Sequence, residues 1–149
     1  MRILGLDLGE KRIGLAISDE LGITAQGLPT VASTSENEDL IKIKKLIEQY
    51  KVEKVIVGLP KNMNGTLGKQ AEKSITFAQK LKSISQIEIE LEDERLSTVR
   101  AEKLLIQADR SRKKRKKVID KMAAVIILQS YLDRRMMNRE KKEKNELPF

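Results

Sequence analysis

Residues 2–18 read Arg2-Ile3-Leu4-Gly5-Leu6-Asp7-Leu8-Gly9-Glu10-Lys11-Arg12-Ile13-Gly14-Leu15-Ala16-Ile17-Ser18, and the fold turns on this stretch. It predicts two strands, 2–8 and 12–18, joined by a tight turn at Gly9-Glu10-Lys11. Ile13, Leu15 and Ile17 alternate with Gly14, Ala16 and Ser18, the period of a strand with one crowded face. Asp7 breaks the apolar run on the face that carries Ile3, Gly5 and Gly9. Burying an acid there is costly unless it is paired or binds a cation, and the flanking glycines leave room for a ligand to approach the backbone. The plainer alternative is a strand-end aspartate that already faces water.

Outward from this hairpin the pattern alternates strand and helix. A third strand is expected at Gly27 to Thr34, with Ser35 as N-cap of a helix whose first turn holds Glu36, Glu38 and Asp39. Leu40, Ile43, Ile47 and Tyr50 mark its buried stripe. Val55-Ile56-Val57 is a strand buried on both faces, ended by Gly58-Leu59-Pro60. After the polar loop Asn62 to Gly68, Leu67, Ala71, Ile75, Ala78 and Leu81 recur at helical spacing. Ile87, Ile89 and Leu91 alternate with Glu88, Glu90 and Glu92 in a fifth strand. Ser97 or Thr98 caps a helix to about Ala108; a basic loop and a last helix, Val118 to Arg135, follow. The hairpin is antiparallel and the strands joined through helices are parallel. The expected fold is a single α/β domain over 1–135, a mixed five-stranded sheet with flanking helices. Met136 to Phe149 forms a charged C-terminal tail, expected to be flexible.

Composition narrows the chemistry. The chain has 149 residues, 35% of them charged, with neither cysteine nor histidine. This excludes disulfides, thiolate catalysis, the Ser-His-Asp triad and histidine metal sites. Carboxylates, lysine or a hard oxygen-bound cation must carry any catalysis. The first apolar run is cut short at Asp7, unlike a secretory signal, and Met122 to Leu128 is far short of a membrane span. A cytoplasmic protein is expected. The net charge of +8 is concentrated in residues 109–149, because residues 1–108 hold sixteen basic and sixteen acidic residues. Seven of the eight residues from Arg110 to Lys117 are basic: Arg110, Arg112, Lys113, Lys114, Arg115, Lys116 and Lys117. Without bulky apolar neighbours, this block points to nucleic acid before membrane, although such runs are often merely solvated.

Two further acids stand out. Asp120 shares a helical face with Ala123, Ala124, Ile127 and Tyr131, and the small alanines would let that helix approach the sheet. An acid at a helix start is also favoured by the dipole alone. At the end of the fifth strand Glu88, Glu90, Glu92, Asp93 and Glu94 crowd together. Most read as a solvated strand face, and periodicity does not choose a ligand among them. A set of carboxylates suits Mg²⁺ or Mn²⁺, hard cations that take oxygen ligands, and a pair of such ions can promote phosphodiester cleavage.

Several motifs occur in order: Gly5-Leu6-Asp7-Leu8-Gly9, Arg12-Ile13-Gly14-Leu15-Ala16, and Val57-Gly58-Leu59-Pro60 with Asn62-Met63-Asn64-Gly65-Thr66. Asp93-Glu94-Arg95-Leu96-Ser97-Thr98 follows, and then Arg112 to Lys117 leading into Asp120-Lys121-Met122-Ala123-Ala124. Over residues 2–135 the chain resembles the YqgF/RuvX family of RNase H-like nucleases. Members are described as nucleases maturing the 5′ end of pre-16S ribosomal RNA and as Holliday junction resolvases. The resemblance implies an RNase H-like fold and a divalent-metal nuclease acting on structured RNA or branched DNA, with ribosomal precursor particles as possible partners. It implies that Glu94 is the catalytic glutamate, beside Asp7 and Asp120. On this reading Asp7 bridges two ions, and Glu94 and Asp120 complete one shell each. Arg12 and Arg95 fall at positions suited to phosphate contact or to support of the acids. Glu90 and Glu92 make the strand before Asp93 more acidic than the family pattern.

Two other classes compete. The glycine-flanked Asp7 and its hairpin also resemble the first phosphate motif of actin-like kinases, but those need a second comparable domain to enclose the nucleotide. A non-catalytic ribosome- or RNA-binding protein would explain the basic block and leave the three acids unexplained. The sequence is compatible with a monomer or a weak homodimer; symmetric cutting of a four-way junction would call for a two-fold dimer.

Overall fold

The computed structural model describes residues 1–62, 64–95 and 112–146, with backbone alone from 112 to 121. Strands β1 (Arg2–Leu8), β2 (Arg12–Ser18) and β3 (Ala25–Ala32) are followed by helix α1 (Glu36–Gln49), strand β4 (Val52–Leu59) and helix α2 (Lys69–Ser85). Strand β5 (Glu88–Asp93) and a long helix α3 (Arg112–Glu146) complete the described elements. The five strands form one sheet in the order β3-β2-β1-β4-β5. β1–β2 and β2–β3 pair antiparallel, and β1–β4 and β4–β5 pair parallel, as the hairpin and the helical connections dictate.

The tight β1–β2 turn closes with the Gly9 N–H donating to the Arg12 carbonyl at 3.0 Å. A Cβ on Gly9 would lie 2.7 Å from that same oxygen, so the turn requires glycine. β1 alternates cleanly. Leu4, Leu6 and Leu8 face α1 and α2, where they meet Ile43, Ile47, Phe77 and Leu81 in the larger core. Ile3 faces α3, in a smaller core with Ala16, Ile56, Ala124, Ile127 and Leu128. Val55, Ile56 and Val57 are fully buried, as expected of a strand covered on both faces.

Four expectations need correction. β3 runs two residues earlier than predicted: Ser33 still donates its N–H to the Lys11 carbonyl, but its hydroxyl and the Thr34 N–H turn to Asp39. The Ser33 hydroxyl donates to Asp39 at 2.6 Å and the Thr34 N–H at 3.0 Å, while Ser35 caps α1 by accepting from the Glu38 N–H. The buried stripe of α2 is Ala71, Ser74, Phe77, Ala78 and Leu81. Leu67 precedes the helix and is exposed, and Ile75 is half-buried. The Ser74 hydroxyl is satisfied within the helix by the Gln70 carbonyl.

The third correction concerns α3, which begins at Arg112 and continues to Glu146. Its backbone from Arg112 to Lys117 is therefore helical where a loop was expected. Beyond Arg135, the pairs Arg139/Glu143, Glu140/Lys144 and Lys142/Glu146 stand four residues apart, a spacing that supports helix. The fourth is the end of β5: Glu88 and Glu90 are exposed and Ile87 and Ile89 pack on the larger core as expected, but Glu92 is buried and Leu91 is exposed. The expected helix from Ser97 or Thr98 to Ala108 lies outside the described residues. Among those described, no helix is long and apolar enough to cross a membrane.

Candidate active site

The α3 face of the sheet is lined by small residues where the other face has large ones. Gly5, Gly14 and Gly58 lie on three adjacent strands, and α3 closes onto all three. A Cβ at Gly5 would lie 2.9 Å from Leu128 Cβ and 3.2 Å from the Ala124 carbonyl oxygen. One at Gly14 would sit 3.4 Å from Asp7 Cβ and 3.5 Å from Ala124 Cβ. Close approach of backbone to helix is what glycine permits here. Asp7 pairs with Gly14 across the β1–β2 ladder, so its half-buried side chain emerges into this narrow layer.

Glu94 arrives from the other side. β4 and β5 are in register with Gly58 opposite Glu92 and Leu59 opposite Asp93, and Glu94 follows directly. Its carboxyl lies over Gly58, where an added Cβ would meet Glu94 Oε1 and Ile127 Cδ1 at 2.7 Å each. Glu94 is held there against Asp7, with which it shares a hydrogen bond. Burial first, and then the Asp7 charge and this hydrogen bond, push the Glu94 carboxyl up to about 8. One carboxyl therefore carries a proton near neutral pH, because two adjacent carboxylates in a desolvated layer repel. A pair of this kind is a natural seat for a hard cation, whose charge would replace the proton.

Supporting contacts fix the pair from three directions. Arg95 makes a forked contact to Asp93, with Nη2 at 2.7 Å and Nε at 3.1 Å. The Lys61 ammonium lies 3.9 Å from the same carboxylate. The Arg95 hydrogen bond, acting against burial, holds Asp93 below the usual carboxylate range. The α2 N-terminus is tied to the end of β1 by Gln70, whose amide donates to the Leu8 carbonyl. On β5, Glu92 receives both terminal nitrogens of Arg134 at 2.5 Å. Glu90 takes the Lys54 ammonium at 2.8 Å. Burial works against the Lys54 charge, but hydrogen bonds to Glu90 and Tyr131 hold its pKa above the usual lysine value. These two cross-links lock β5 and β4 to α3.

The predicted site residues thus separate into three groups. Asp7 and Glu94 come together. Arg12 is exposed at the start of β2, on the strand face it shares with Gly14, and Arg95 is committed to Asp93. The position of Asp120 is helical, one turn before Ala124, which packs over Gly14. The side chains of Asp120, Arg112, Lys113, Lys114, Arg115, Lys116 and Lys117, and Arg110 altogether, lie outside the described residues. Sequence reasoning missed Gly58, Lys61, Asp93 and the Glu92–Arg134 pair. Gly58 had a visible signal, a glycine two residues beyond Ile56 on the same face of a buried strand.

Comparison with known proteins agrees with this arrangement. The sequence profile of the RuvX family, described as Holliday junction resolvase, matches residues 1–134. A Bacillus cytotoxicus protein named "Putative pre-16S rRNA nuclease" is 58% identical over 135 residues, spanning 89% of this chain and 98% of its own. A Clostridium kluyveri protein of the same name is 54% identical over 134 residues, spanning 90% and 98%. Among solved structures, RuvC of Thermus thermophilus in complex with Holliday junction substrate superposes with a TM-score of 0.60 at 13% identity, over 91% of this chain and 96% of that one. The fowlpox virus Holliday junction resolvase gives 0.50 at 18% identity, over 89% and 99%. At such identities the structural matches speak for the RNase H-like fold alone. The extent and identity of the sequence matches go further, and the chain belongs to the RuvX family.

Proposed function

We propose that this protein is a divalent-metal-dependent nuclease whose site is built on Asp7, Glu94 and Asp120. The observation that carries this reading is the contact between the Asp7 and Glu94 carboxyls beneath α3, in a layer kept thin by Gly5, Gly14 and Gly58. The donor set is all oxygen, which suits Mg²⁺ or Mn²⁺. When bound, such ions lower the pKa of a water and offset charge on the phosphate. The chain's own residues do the rest. Asp7, fixed opposite Gly14 in the β1–β2 ladder, supplies a rigid anion; Glu94, once deprotonated, would add a second carboxylate to hold the cation; Asp93, braced by Arg95, orients the segment that carries Glu94. Arg12 is open to a phosphate at the same end of the sheet. The α3 start, Arg112 to Lys117, adds charge for the nucleic-acid backbone rather than base readout.

The proposed substrate is the 5′ end of pre-16S ribosomal RNA, supported by the names of relatives that are more than half identical over nearly their whole length. Branched DNA is the second reading, supported by the description of the family. A cytoplasmic location fits either substrate. The deciding experiment offers purified protein a ribosomal RNA precursor fragment and a synthetic four-way junction, each with Mg²⁺, Mn²⁺ or EDTA. Metal-dependent cutting that is lost in Asp7→Asn establishes the nuclease, and the preferred substrate names its class. Intact binding without cutting of either substrate overturns it in favour of a ribosome-associated binding protein.

A further inference from the structure

Helix α3 outlasts the sheet beneath it. Through Leu132 its inward side is apolar and buried; beyond that the same side turns basic. At 3.6 residues per turn, Tyr131, Arg135, Asn138, Arg139 and Lys142 follow one line down the helix. Asp133 and Glu140 fall on the opposite side, while Glu143 flanks Arg139 and Glu146 lies one turn beyond Lys142. Those five aligned residues, with Arg134 and with Glu90 on the edge strand, line one open cleft. Glu90 is already met by Lys54 at 2.8 Å and Arg134 is committed to Glu92. Glu143 and Glu146, four residues beyond Arg139 and Lys142, stand outside the cleft's lining, which keeps a net positive charge through Arg135, Arg139 and Lys142.

We propose that the Arg135–Lys142 stripe is a second nucleic-acid contact, gripping phosphates on a part of the substrate remote from the scissile bond. This rests on the nuclease reading for the identity of the substrate, but not for the contact itself. The family match ends at residue 134, so the stripe is an addition to the shared domain. From Ala124, which packs beside Asp7, to Arg139 and Lys142 is about 22–27 Å along the helix. That is the length of roughly seven or eight base pairs of B-form DNA, or slightly more of an A-form RNA duplex. Arginine forks interleaved with an asparagine suit phosphate oxygens. A lipid surface would call for bulky apolar residues beside the basic ones, and among the described residues none follows Tyr131 on this side.

The test compares wild type with Arg139→Glu/Lys142→Glu, and with the milder Arg139→Gln/Lys142→Gln. Binding in EDTA is measured to hairpin RNAs with arms of about five base pairs, too short to reach the stripe, and about twelve, long enough to cover the estimated span. The reversal should weaken binding of the long-arm RNA about tenfold and reduce the salt slope by about two. Short-arm binding and short-arm cleavage should stay at wild-type level, and the glutamine pair should fall between. Wild-type affinity of the reversal variant for both RNAs would overturn the proposal and leave the stripe to a protein partner. An equal loss on both would overturn it too, as a diffuse field effect. A wild type that cleaves nothing, yet shows the length-dependent loss, would sink the nuclease reading and keep this contact.

Discussion

The two faces of the sheet are built on opposite principles. Toward α1 and α2, β1 and β2 present Leu4, Leu6, Leu8, Ile13, Leu15 and Ile17, all buried against apolar helix residues. Toward α3 the same strands present Ile3, Gly5, Asp7, Gly14 and Ala16, and β5 adds Glu90, Glu92 and Glu94. One face excludes water with bulk. The other gives up bulk so that a helix can come close, and closes the layer with Lys54–Glu90, Arg134–Glu92 and the Asp7–Glu94 pair. Alternation in the strands makes the division possible, since neighbouring residues serve opposite layers. Stability is thereby concentrated on one side and chemistry on the other.

Adjacent residues give the hardest test of that division. Asp7→Asn should lower cleavage by at least roughly 10²–10³-fold, while leaving thermal stability equal or higher, because a like charge beside Glu94 is gone. Leu6→Ala, one residue away on the opposite face, should cost about 2–5 kcal/mol of stability and leave kcat near wild type below its melting temperature. Denaturant unfolding and single-turnover cleavage on the two variants decide it. Equal destabilisation by both would mean that the α3 layer is structural after all.

Gly58→Ala sharpens the comparison within the α3 layer. The new methyl would fall 2.7 Å from both Glu94 Oε1 and Ile127 Cδ1, so the carboxyl or the helix must move. Displacement near 1 Å should cost about a hundredfold in cleavage, with about 1–3 kcal/mol of overpacking strain. Metal titration followed by calorimetry would separate the two effects. Weakened metal binding at wild-type melting temperature points to the carboxyl, and the opposite result points to the helix.

The sequence discloses the first of these faces far better than the second. Leu4, Leu6, Leu8 and the β2 isoleucines carry a period-two signal that needs no partner to be read. Asp7 was legible because it interrupts that signal on its glycine-bearing side. Glu94 was not, since five acids share the end of β5 and their fates depend on distant residues. Glu92 is buried only because Arg134 reaches it, forty-two positions away; Glu90 depends on Lys54. Counter-charges supplied across the fold leave no trace in local periodicity, so alternation sorts the β5 residues onto their two faces but does not show that Glu92 is buried. The α3 boundaries failed for another reason: its ends hold charges four apart rather than an apolar stripe, and an apolar stripe was the signal being followed.

The smallest predicted effect is also the most specific to one residue. The Glu94 carboxyl, at 4.5 in the unfolded chain, rises to about 8 in the fold. Below 4.5 both states hold the proton. Between 4.5 and 8 the folded protein keeps it while the unfolded chain loses it, so stability falls as pH rises through that window. The loss between pH 5 and 7 should be on the order of 2 kcal/mol in EDTA. Asp93 and Asp19, both lowered, titrate below the window, and the chain has no histidine. Among the described residues Glu94 is thus the group that sets the slope there. Asp7→Asn removes the neighbouring charge and should flatten the slope. Mg²⁺ or Mn²⁺ should reverse it, because a cation competes with the proton and binds more tightly as pH rises. Melting curves at pH 5, 6, 7 and 8, with metal or with EDTA, are sufficient. A flat EDTA profile in the wild type would mean that Glu94 and Asp7 do not meet in solution, and the α3 layer would lose the pair on which its chemistry is built.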